Sequence, residues 1–421
     1  TGAPFSLAAG STIAGNYIGV DRTGMTTDSG GSNTGIEISA TNSIIGGTAA
    51  ADRNVVSGHG GWAIYLDAAA TGTTVQGNYL GVNAAGTGIF GVLAGSGVNN
   101  NGAANLQVGS TNPEGRNVIA GMQNLGIWLM GDGSGTVIQG NAIGTDQTGT
   151  RIWGNDIGII ADFGASNYII GGTAAGAGNT IVNSQYDGIR FTTLAGAGNA
   201  ILGNVIANNG EEAIDLNSDG VTANDAGDAD TGPNNQQNFP VLTDVRTNGA
   251  NQVDITGTFN SLANGYYRIE FFAATTADAT GHGEAQRFLG FLDVATDAAG
   301  NAVISTSLVA NIAAGEFITA TATRTDATYT TFYDTSELAQ NAAAISMTQG
   351  ALVVDTVSDV ADGDTTSIST LLANMGADGR ISLREAILAA NNTANGALAD
   401  RIDFQILDAL VGGAHTINVL S

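Results

Sequence analysis

A two-residue phrase, glycine followed by asparagine, recurs at a nearly constant distance through the first half of the chain. Its asparagine stands at four positions separated by 62, 63 and 63 residues: Asn16, Asn78, Asn141 and Asn204. Short apolar segments of about three to five residues lie between the phrases and end at Gly or Asn. A repeat of more than about 50 residues with many short strands and no helical period predicts a solenoid, and we expect each coil to take about a third of the repeat.

A second phrase keeps the same step and carries another asparagine: Arg53-Asn54, Arg116-Asn117 and Gly178-Asn179. Gly and Asn at strand ends supply the left-handed backbone conformations that tight corners require. Stacking equivalent strands about 4.8 Å apart would place each asparagine above the next, so that the amides bond along the stack. Residues 1–218 resemble the right-handed parallel β-helix of the pectate-lyase-like architecture, with a β-propeller or a sandwich array as the alternative.

Composition narrows the class of partner. The 421-residue chain has a net charge of −26, and it contains arginine but no lysine. A surface this acidic argues against nucleic acid and against a polyanionic substrate, since both need a basic track. Cysteine is absent, which excludes disulfides. No stretch approaches the roughly 18 apolar residues of a membrane span, so we predict none.

The pattern changes twice after the repeat region. Residues 219–236 are polar and acidic, which predicts a linker. Residues 237–344 carry longer alternating strands about 15 residues apart, which is typical of an immunoglobulin-like β-sandwich. Residues 350–421 begin with an apolar segment and contain one helix pattern. The predicted fold class is all-β: a right-handed parallel β-helix, an immunoglobulin-like β-sandwich, and a small α/β cap segment that includes the start of a next β-helix.

The helix pattern in the third segment has clear ends. Ser382 is the expected N-cap, and Glu385 three residues later completes a capping box. Leu383, Ile387 and Ala390 share one face, which predicts a docking helix.

The phrase that runs from Ile381 to Ile387 closely resembles the CSLREA motif of large bacterial surface proteins, with Ile381 standing where the motif has cysteine. In that family the motif precedes a parallel β-helix and caps its open end. The resemblance therefore implies an assembly or cap role for five residues: Ile381, Leu383, Arg384, Glu385 and Ile387.

The order of the segments differs from that family. Here the motif follows a β-helix, and Thr416–Val419 has the pattern of a first β-helix strand. We therefore expect one unit of a tandem array, or one subunit whose C-terminal end stacks on the N-terminal coil of the next copy. Copies of the chain itself are the predicted partners, joined end to end.

An acidic segment after the repeats suggests a metal site. It matches the first half of the Asp-x-Asn-x-Asp-Gly calcium loop, in which oxygen ligands alternate and glycine makes the turn. Ala226 stands where the bidentate glutamate belongs, so later aspartates would have to replace it. The predicted calcium ligands are Asp215, Asn217, Asp219, Asp225, Asp228 and Asp230. A solvated acidic linker is the alternative, and a second acidic run at 355–364 is a weaker candidate.

Parallel β-helices also include polysaccharide lyases and hydrolases, so an enzyme is the alternative function. Asp156, Asp162 and Asp187 on neighbouring coils could converge beside Arg190. The three histidines fall in three different segments, and solubilising charge on the coil surface explains the acids equally well.

The function we predict is that of a secreted structural and adhesive protein of a bacterial cell surface or matrix. The repeat, the cap motif and the acidic charge are the grounds for it, and the resemblance supplies the extracellular setting. Tyr17 and Tyr79 occupy matching repeat positions, where aromatic rings either bind surface glycans or fill coil corners. A filament-forming subunit, which would use its ends and not its faces, is a third possibility.

Overall fold

The chain folds into two compact units. The computed structural model describes residues 8–27, 33–90, 95–347, 351–393, 400–406, 408, 410 and 414–417. The first unit contains Thr1–Val245, Ile255–Leu308 and Glu316–Ala343. The second contains Arg246–Asp254, Val309–Gly315 and Ala344–Ser421.

The first half of the chain forms three sheets of seven strands each. Sheet 1 contains Thr12–Ile13, Ile44–Gly46, Thr74–Gln76, Gln107–Gly109, Val137–Gln139, Ile169–Gly171 and Ala200–Leu202. Sheet 2 contains Tyr17–Ile18, Val55–Val56, Tyr79–Leu80, Val118–Ile119, Ala142–Ile143, Thr180–Val182 and Val205–Ala207. Sheet 3 contains Thr34–Ile38, Trp62–Leu66, Ser96–Asn101, Leu125–Asp132, Ile157–Ser166, Ile189–Phe191 and Ile214–Leu216. Short 3-10 turns lie at Ala50–Asp52 and Pro113–Gly115.

Each sheet takes one strand from every coil, and successive strands pair in parallel. This arrangement is a parallel β-helix, which confirms the predicted fold class for this part of the chain. The expected coil length is wrong, however, because each repeat holds two coils and not three. In the first repeat the equivalent asparagines are 38 and then 24 residues apart. The two asparagine phrases occupy the same corner on alternate coils, so the repeat is a pair of unequal coils.

The asparagines of both phrases form one hydrogen-bonded ladder along that corner. In each step the Nδ2 of one asparagine donates to the Oδ1 of the next, over distances of 2.9–3.1 Å. The ladder runs through Asn16, Asn54, Asn78, Asn117, Asn141, Asn179 and Asn204. A second Nδ2 bond reaches a backbone carbonyl, as from Asn141 to Val108 at 3.0 Å. The buried amides are therefore fully paired, as their burial requires.

A column of glycines forms another corner of the coil, where sheet 2 and sheet 3 come close together. A Cβ added at Gly158 would collide with the carbonyl oxygen of Gly188 on the next coil and with the Cγ2 of Ile181. Gly97 and Gly126 occupy the same position on earlier coils and face the same obstruction. The corner has no room for a side chain, and the remaining interior is filled mainly by Ile, Leu and Val.

Two sheets of mainly antiparallel strands follow the β-helix. One sheet contains Val241–Thr247, Val253–Asn260 and Asn301–Leu308, and the other contains Tyr266–Ala274, Arg287–Ala295, Phe317–Thr325 and Phe332–Thr335, with Ala342–Ala343 paired to Phe317–Thr325. Phe259 from the first sheet meets Tyr267 from the second edge to face, with ring centroids 4.8 Å apart. The predicted β-sandwich is confirmed as part of the fold class.

The second unit holds a small α/β element. Ala351–Val354 pairs in parallel with Arg401–Phe404, and two helices follow the first of these strands: α1, Ile368–Ala373, and α2, Leu383–Asn392. Ile345–Ser346 pairs in parallel with Arg246 and Thr247. The apolar core of the element consists of Leu352, Val354, Ile368, Leu371, Ile381, Ala386 and Ala389. The predicted α/β segment is confirmed with the fold class, whereas the predicted domain boundaries stay predictions.

The predicted start of a next β-helix lies only partly within the described residues. Thr416 and Ile417 are not in a strand, and Ile417 packs against the core of the α/β element. Asn418 and Val419 lie outside the described residues. Among the residues that the structure does describe, no helix is both long enough and apolar enough to cross a membrane.

Candidate functional site

The last coil of the β-helix is covered by those parts of the sandwich that lie in the same compact unit, residues 266–274, 285 and 332–337. Backbone amides along its open edge donate to side chains on the sandwich strands or just after one: Gly203 to Glu270 Oε2 at 2.8 Å, Ile201 to Thr335 Oγ1 at 2.8 Å, and Leu216 to Glu337 Oε1 at 2.8 Å. On sheet 2 the backbones of Ile206 and Ala285 exchange two bonds of 3.0 Å. Each of the three terminal strands therefore has part of its open edge paired, which prevents uncontrolled strand addition.

The carboxyl groups in this junction are buried. Burial raises the pKa of Glu270 to about 7, although the Gly203 amide and Arg268 oppose the rise. Burial raises the pKa of Glu284 to about 7 and that of Glu337 to about 8. These carboxyl groups accept hydrogen bonds from backbone amides and are held in place by packing, so we assign them a structural role.

A compact acidic cluster lies beside the last two coils. Arg190 on sheet 3 stands opposite Asp215 on the next strand. The Nε of Arg190 donates to Asp187 Oδ2, and its Nη2 donates to Glu211 Oε2 at 2.8 Å. The other oxygen of Asp187 accepts from the backbone amide of Glu212 at 3.1 Å. One arginine thus pairs with two carboxylates, those of Asp187 and Glu211.

The two aspartates of this cluster are withdrawn from water. Asp187 is fully buried and Asp215 is 3% exposed. Desolvation raises the pKa of Asp187 to about 7, with Arg190 lowering it and Asp215 raising it. Desolvation, together with the charge of Glu212, raises the pKa of Asp215 to about 6. The Oδ1 of Asp215 is buried and has no hydrogen-bond partner. Such a group either keeps a proton or needs a cation.

The six residues predicted to hold calcium do not form one site. Asp215 joins Asp187 and Glu212, whose carboxylate oxygens all lie within 4.8 Å of one another. Asn217 donates to Asp219 at 2.9 Å on the exposed side of the same turn. Asp215 lies in a paired strand of sheet 3, opposite Arg190, so its side chain is grouped with the neighbouring coil and not with the later aspartates of the segment.

The other three predicted ligands form a second cluster. Asp225, Asp228 and Asp230 have carboxylate oxygens within 4.8 Å of one another. Both oxygens of Asp228 already accept bonds, from the Asn238 amide at 2.8 Å and from Ser261 Oγ at 2.6 Å. This cluster anchors the segment that leads into the sandwich. Calcium binding at either cluster stays a prediction.

The residues proposed for catalysis converge only in part. Asp187 and Arg190 are paired, as described above. Asp162 lies farther along its coil and accepts from Thr192 Oγ1 at 2.5 Å. Asp156 lines an open groove of about 300 Å³ whose other polar walls include Gln123 and Gln185. Glu212 was not predicted from the sequence. The expected coil of about a third of the repeat is shorter than the 25-residue step that places Glu212 beside Asp187 on the coil before.

The residues predicted for the cap occupy different environments. Glu385 is buried, and its Oε1 accepts from the backbone amides of Asp362 at 2.9 Å and Gly363 at 2.7 Å. Its other oxygen accepts from the amide of Ser382, and the expected capping box is present. Ile381 is buried, whereas Arg384 pairs with Asp359, its Nε lying 3.1 Å from Oδ1.

The predicted docking face of α2 is only partly correct. Leu383 and Ala390 pack against the apolar core, but Ile387 is 44% exposed. Ala386 and Ala389 are fully buried instead. Small side chains occupy the buried face, so that the helix lies close to its neighbours, and this leaves Ile387 outside.

The two matching tyrosines have different surroundings. Tyr79 is buried, with the Arg53 guanidinium 4.0 Å from its ring centroid. Tyr17, on the first described coil, is exposed. Tyr79 therefore fills a coil corner, as one of the two alternatives predicted. The two tyrosines do not form a common exposed surface, because only Tyr17 is exposed.

No protein-family model matches this chain, and no curated protein matches it. Among solved structures, the enzymatically active domain of tailspike protein 2 from bacteriophage CBA120 is similar at 10% identity, covering 78% of this chain and 72% of that chain. The TM-score is 0.15, which is too low to support any structural inference. The fold assignment rests on the three stacked sheets, and the resemblance to the CSLREA motif stays a prediction.

Proposed function

We propose that this chain is a structural and adhesive module of an extracellular surface or matrix protein, used as one unit of a tandem array or of an end-to-end assembly. The observation that carries the proposal is the asparagine ladder, which runs without interruption from Asn16 to Asn204. Buried, fully paired amides fix the register of the coils and make sliding between coils costly. A β-helix whose coils are held in register in this way is suited to act as a spacer or a scaffold.

The use of charged groups supports the same proposal. Glu270 and Glu337 accept backbone amides of the last coil, and both oxygens of Asp187 are occupied. A catalytic carboxylate needs access to a substrate, which these buried groups lack. The net charge of −26 would keep such a module soluble at a crowded surface.

Surface glycans are the proposed ligands of the adhesive face. The open groove of about 300 Å³ crosses neighbouring coils and is lined by carboxamide and carboxylate side chains, among them Gln123, Asp156 and Gln185. Planar amides and carboxylates are suited to the hydroxyl groups of neutral sugars, which donate and accept bonds. A polyanionic glycan would be repelled by the acidic surface.

The test measures retention and cleavage together. The purified chain is mixed with neutral and acidic bacterial polysaccharides, and bound protein and newly formed reducing ends are both measured. We expect retention on a neutral glycan without new reducing ends, and a several-fold loss of retention in Gln185→Ala. Gln340→Ala, at an exposed position outside the groove, is the matched control and should bind normally. Release of new reducing ends would contradict the proposal.

End-to-end assembly is tested by electron microscopy at two protein concentrations. Fibres with a regular axial repeat at the higher concentration would support joining between free subunits. Isolated particles at both concentrations would rule out such joining and leave only the covalent array.

One observation favours the alternative of a carbohydrate-active enzyme. Asp187 and Asp215 are neighbouring buried carboxyls whose pKa values are raised to about 7 and about 6. Perturbed acid pairs of this kind are frequent at active sites. If the cleavage assay is positive, Asp215→Asn should abolish it; otherwise the pair has another role.

A further inference from the structure

The acidic cluster at the last two coils has the features of a cation site. Oxygen atoms of Asp187, Glu212 and Asp215 all lie within 4.8 Å of one another. One ion bound 2.3–2.6 Å from each of several oxygens spans up to about 5 Å between them. The three carboxylates are therefore already grouped at the scale of a single hard cation.

An independent feature of this cluster is a buried oxygen atom without a hydrogen-bond partner. Asp215 is 3% exposed, yet its Oδ1 has neither a hydrogen-bond donor nor water access. A buried oxygen without a partner costs free energy, and a native structure normally provides one. Because the side chain of Asp215 belongs to the group of three, a cation among them would supply the missing partner.

The cluster also carries more negative than positive charge. Arg190 pairs with Asp187 and with Glu211, at 2.8 Å for the latter. Glu212 and Asp215 have no ion pair with it in the described part of the chain. Four carboxyl groups therefore lie near one guanidinium, and with all four ionised, four negative charges and one positive charge give a local formal charge of about −3. A divalent cation would bring this charge close to neutrality.

The second acidic cluster is a weaker candidate for the same ion. Both oxygens of Asp228 accept hydrogen bonds there, as both oxygens of Asp187 do in the first cluster, so the two clusters differ only in their unpartnered atoms. Asp230 also has a buried Oδ1 without a partner, but the residue is only half-buried, whereas Asp215 is 3% exposed. The second cluster therefore serves as the comparison.

We propose that Asp187, Glu212 and Asp215 bind a divalent, oxygen-seeking cation of the calcium class, which fastens the last coil of the β-helix to the coil before it. Carboxylate oxygens without nitrogen or sulfur ligands favour calcium over zinc or copper. Asp187 precedes the strand Ile189–Phe191, and Asp215 lies in Ile214–Leu216, so the ion would bridge two neighbouring strands of sheet 3. This inference does not depend on the proposed adhesive function.

The experiment uses the full chain, freed of metal with a chelator and then titrated with calcium. Binding is followed by calorimetry and thermal unfolding by circular dichroism. We expect saturable binding and a rise of roughly 5 °C in Tm when calcium is well above its Kd. In Asp215→Asn, calcium affinity should fall at least about tenfold, because a charged ligand is lost.

Two controls separate a cation site from a purely structural cluster. Asp230→Asn should keep the calcium response, since it changes only the second cluster. In the presence of chelator, Asp215→Asn should unfold at the same temperature as the unchanged chain or at a higher one, because it removes an uncompensated buried charge. The proposal is overturned if the unchanged chain shows no calcium response, or if Asp230→Asn loses the response while Asp215→Asn keeps it.

Discussion

At the scale of single residues, asparagine sets the register of the β-helix. The Nδ2 of Asn141 donates to Asn179 Oδ1 on the next coil and to the carbonyl of Val108, and its Oδ1 accepts from the Asn117 Nδ2 on the coil before. Replacing a member of the ladder leaves several buried partners unsatisfied at once. The ladder also has an exposed end at Asn16, where water can replace a lost bond.

This difference gives a graded prediction. Asn141→Ala should lower the free energy of unfolding by about 2–4 kcal/mol, since a buried network is broken. Asn16→Ala should lower it by less than about 1 kcal/mol, because that asparagine is exposed. Denaturant unfolding of both variants measures the two values. Equal losses would mean that the ladder does not act through burial.

At the scale of elements, the corner between sheet 2 and sheet 3 requires glycine, because it has no room for a side chain. Gly158 is the second residue of the sheet 3 strand Ile157–Ser166, and the carbonyl oxygen of Gly188 lies where its Cβ would stand. The next coil is held at the fixed spacing of the sheets, so it cannot move away to make room. The corner therefore demands glycine for reasons of space and not of backbone conformation.

Gly158→Ala should accordingly destabilise the β-helix by about 1–3 kcal/mol through overpacking. Gly60 is the matched control, because a Cβ added there meets no atom within 4 Å. Gly60→Ala should leave the unfolding midpoint within experimental error of the unchanged chain. Thermal and denaturant unfolding of the pair provide the comparison, and a neutral Gly158→Ala would show that the coils can separate locally.

At the scale of the first compact unit, buried carboxyls join the β-helix to the sandwich. Glu270 faces Gly203 of the last coil, and Arg268 and Asp293 are the charged groups that act on it within its own sheet. Burial raises its pKa from 4.5 to about 7, so the folded chain keeps a proton that the unfolded chain releases. Stability gained from such groups is present in acid and is lost as pH rises through 4.5 toward 8.

We therefore expect Tm to fall as pH is raised from about 5 to about 8, measured without divalent ions at constant ionic strength. Glu270→Gln should make this fall smaller, since Gln can still accept the Gly203 amide but does not ionise. Hydrogen bonds from Thr328, Thr330 and Thr331 lower the pKa of Asp326 to about 2. Asp326 is therefore ionised throughout pH 5 to 8 and does not contribute to the change in Tm. A Tm that stays level or rises between pH 5 and 8 would refute the prediction.

The sequence by itself determined the β-helix, the asparagine stack, the sandwich and the capped helix α2. These follow from local patterns: residue period, turn residues, strand alternation and the Ser382 and Glu385 pair. Local pattern could not count the coils in a repeat, because equivalent positions on unequal coils are 38 and then 24 residues apart. Only the tertiary structure brought Asp187, Glu212 and Asp215 together and placed Glu270 on the last coil, since those contacts depend on how coils stack and not on nearby residues.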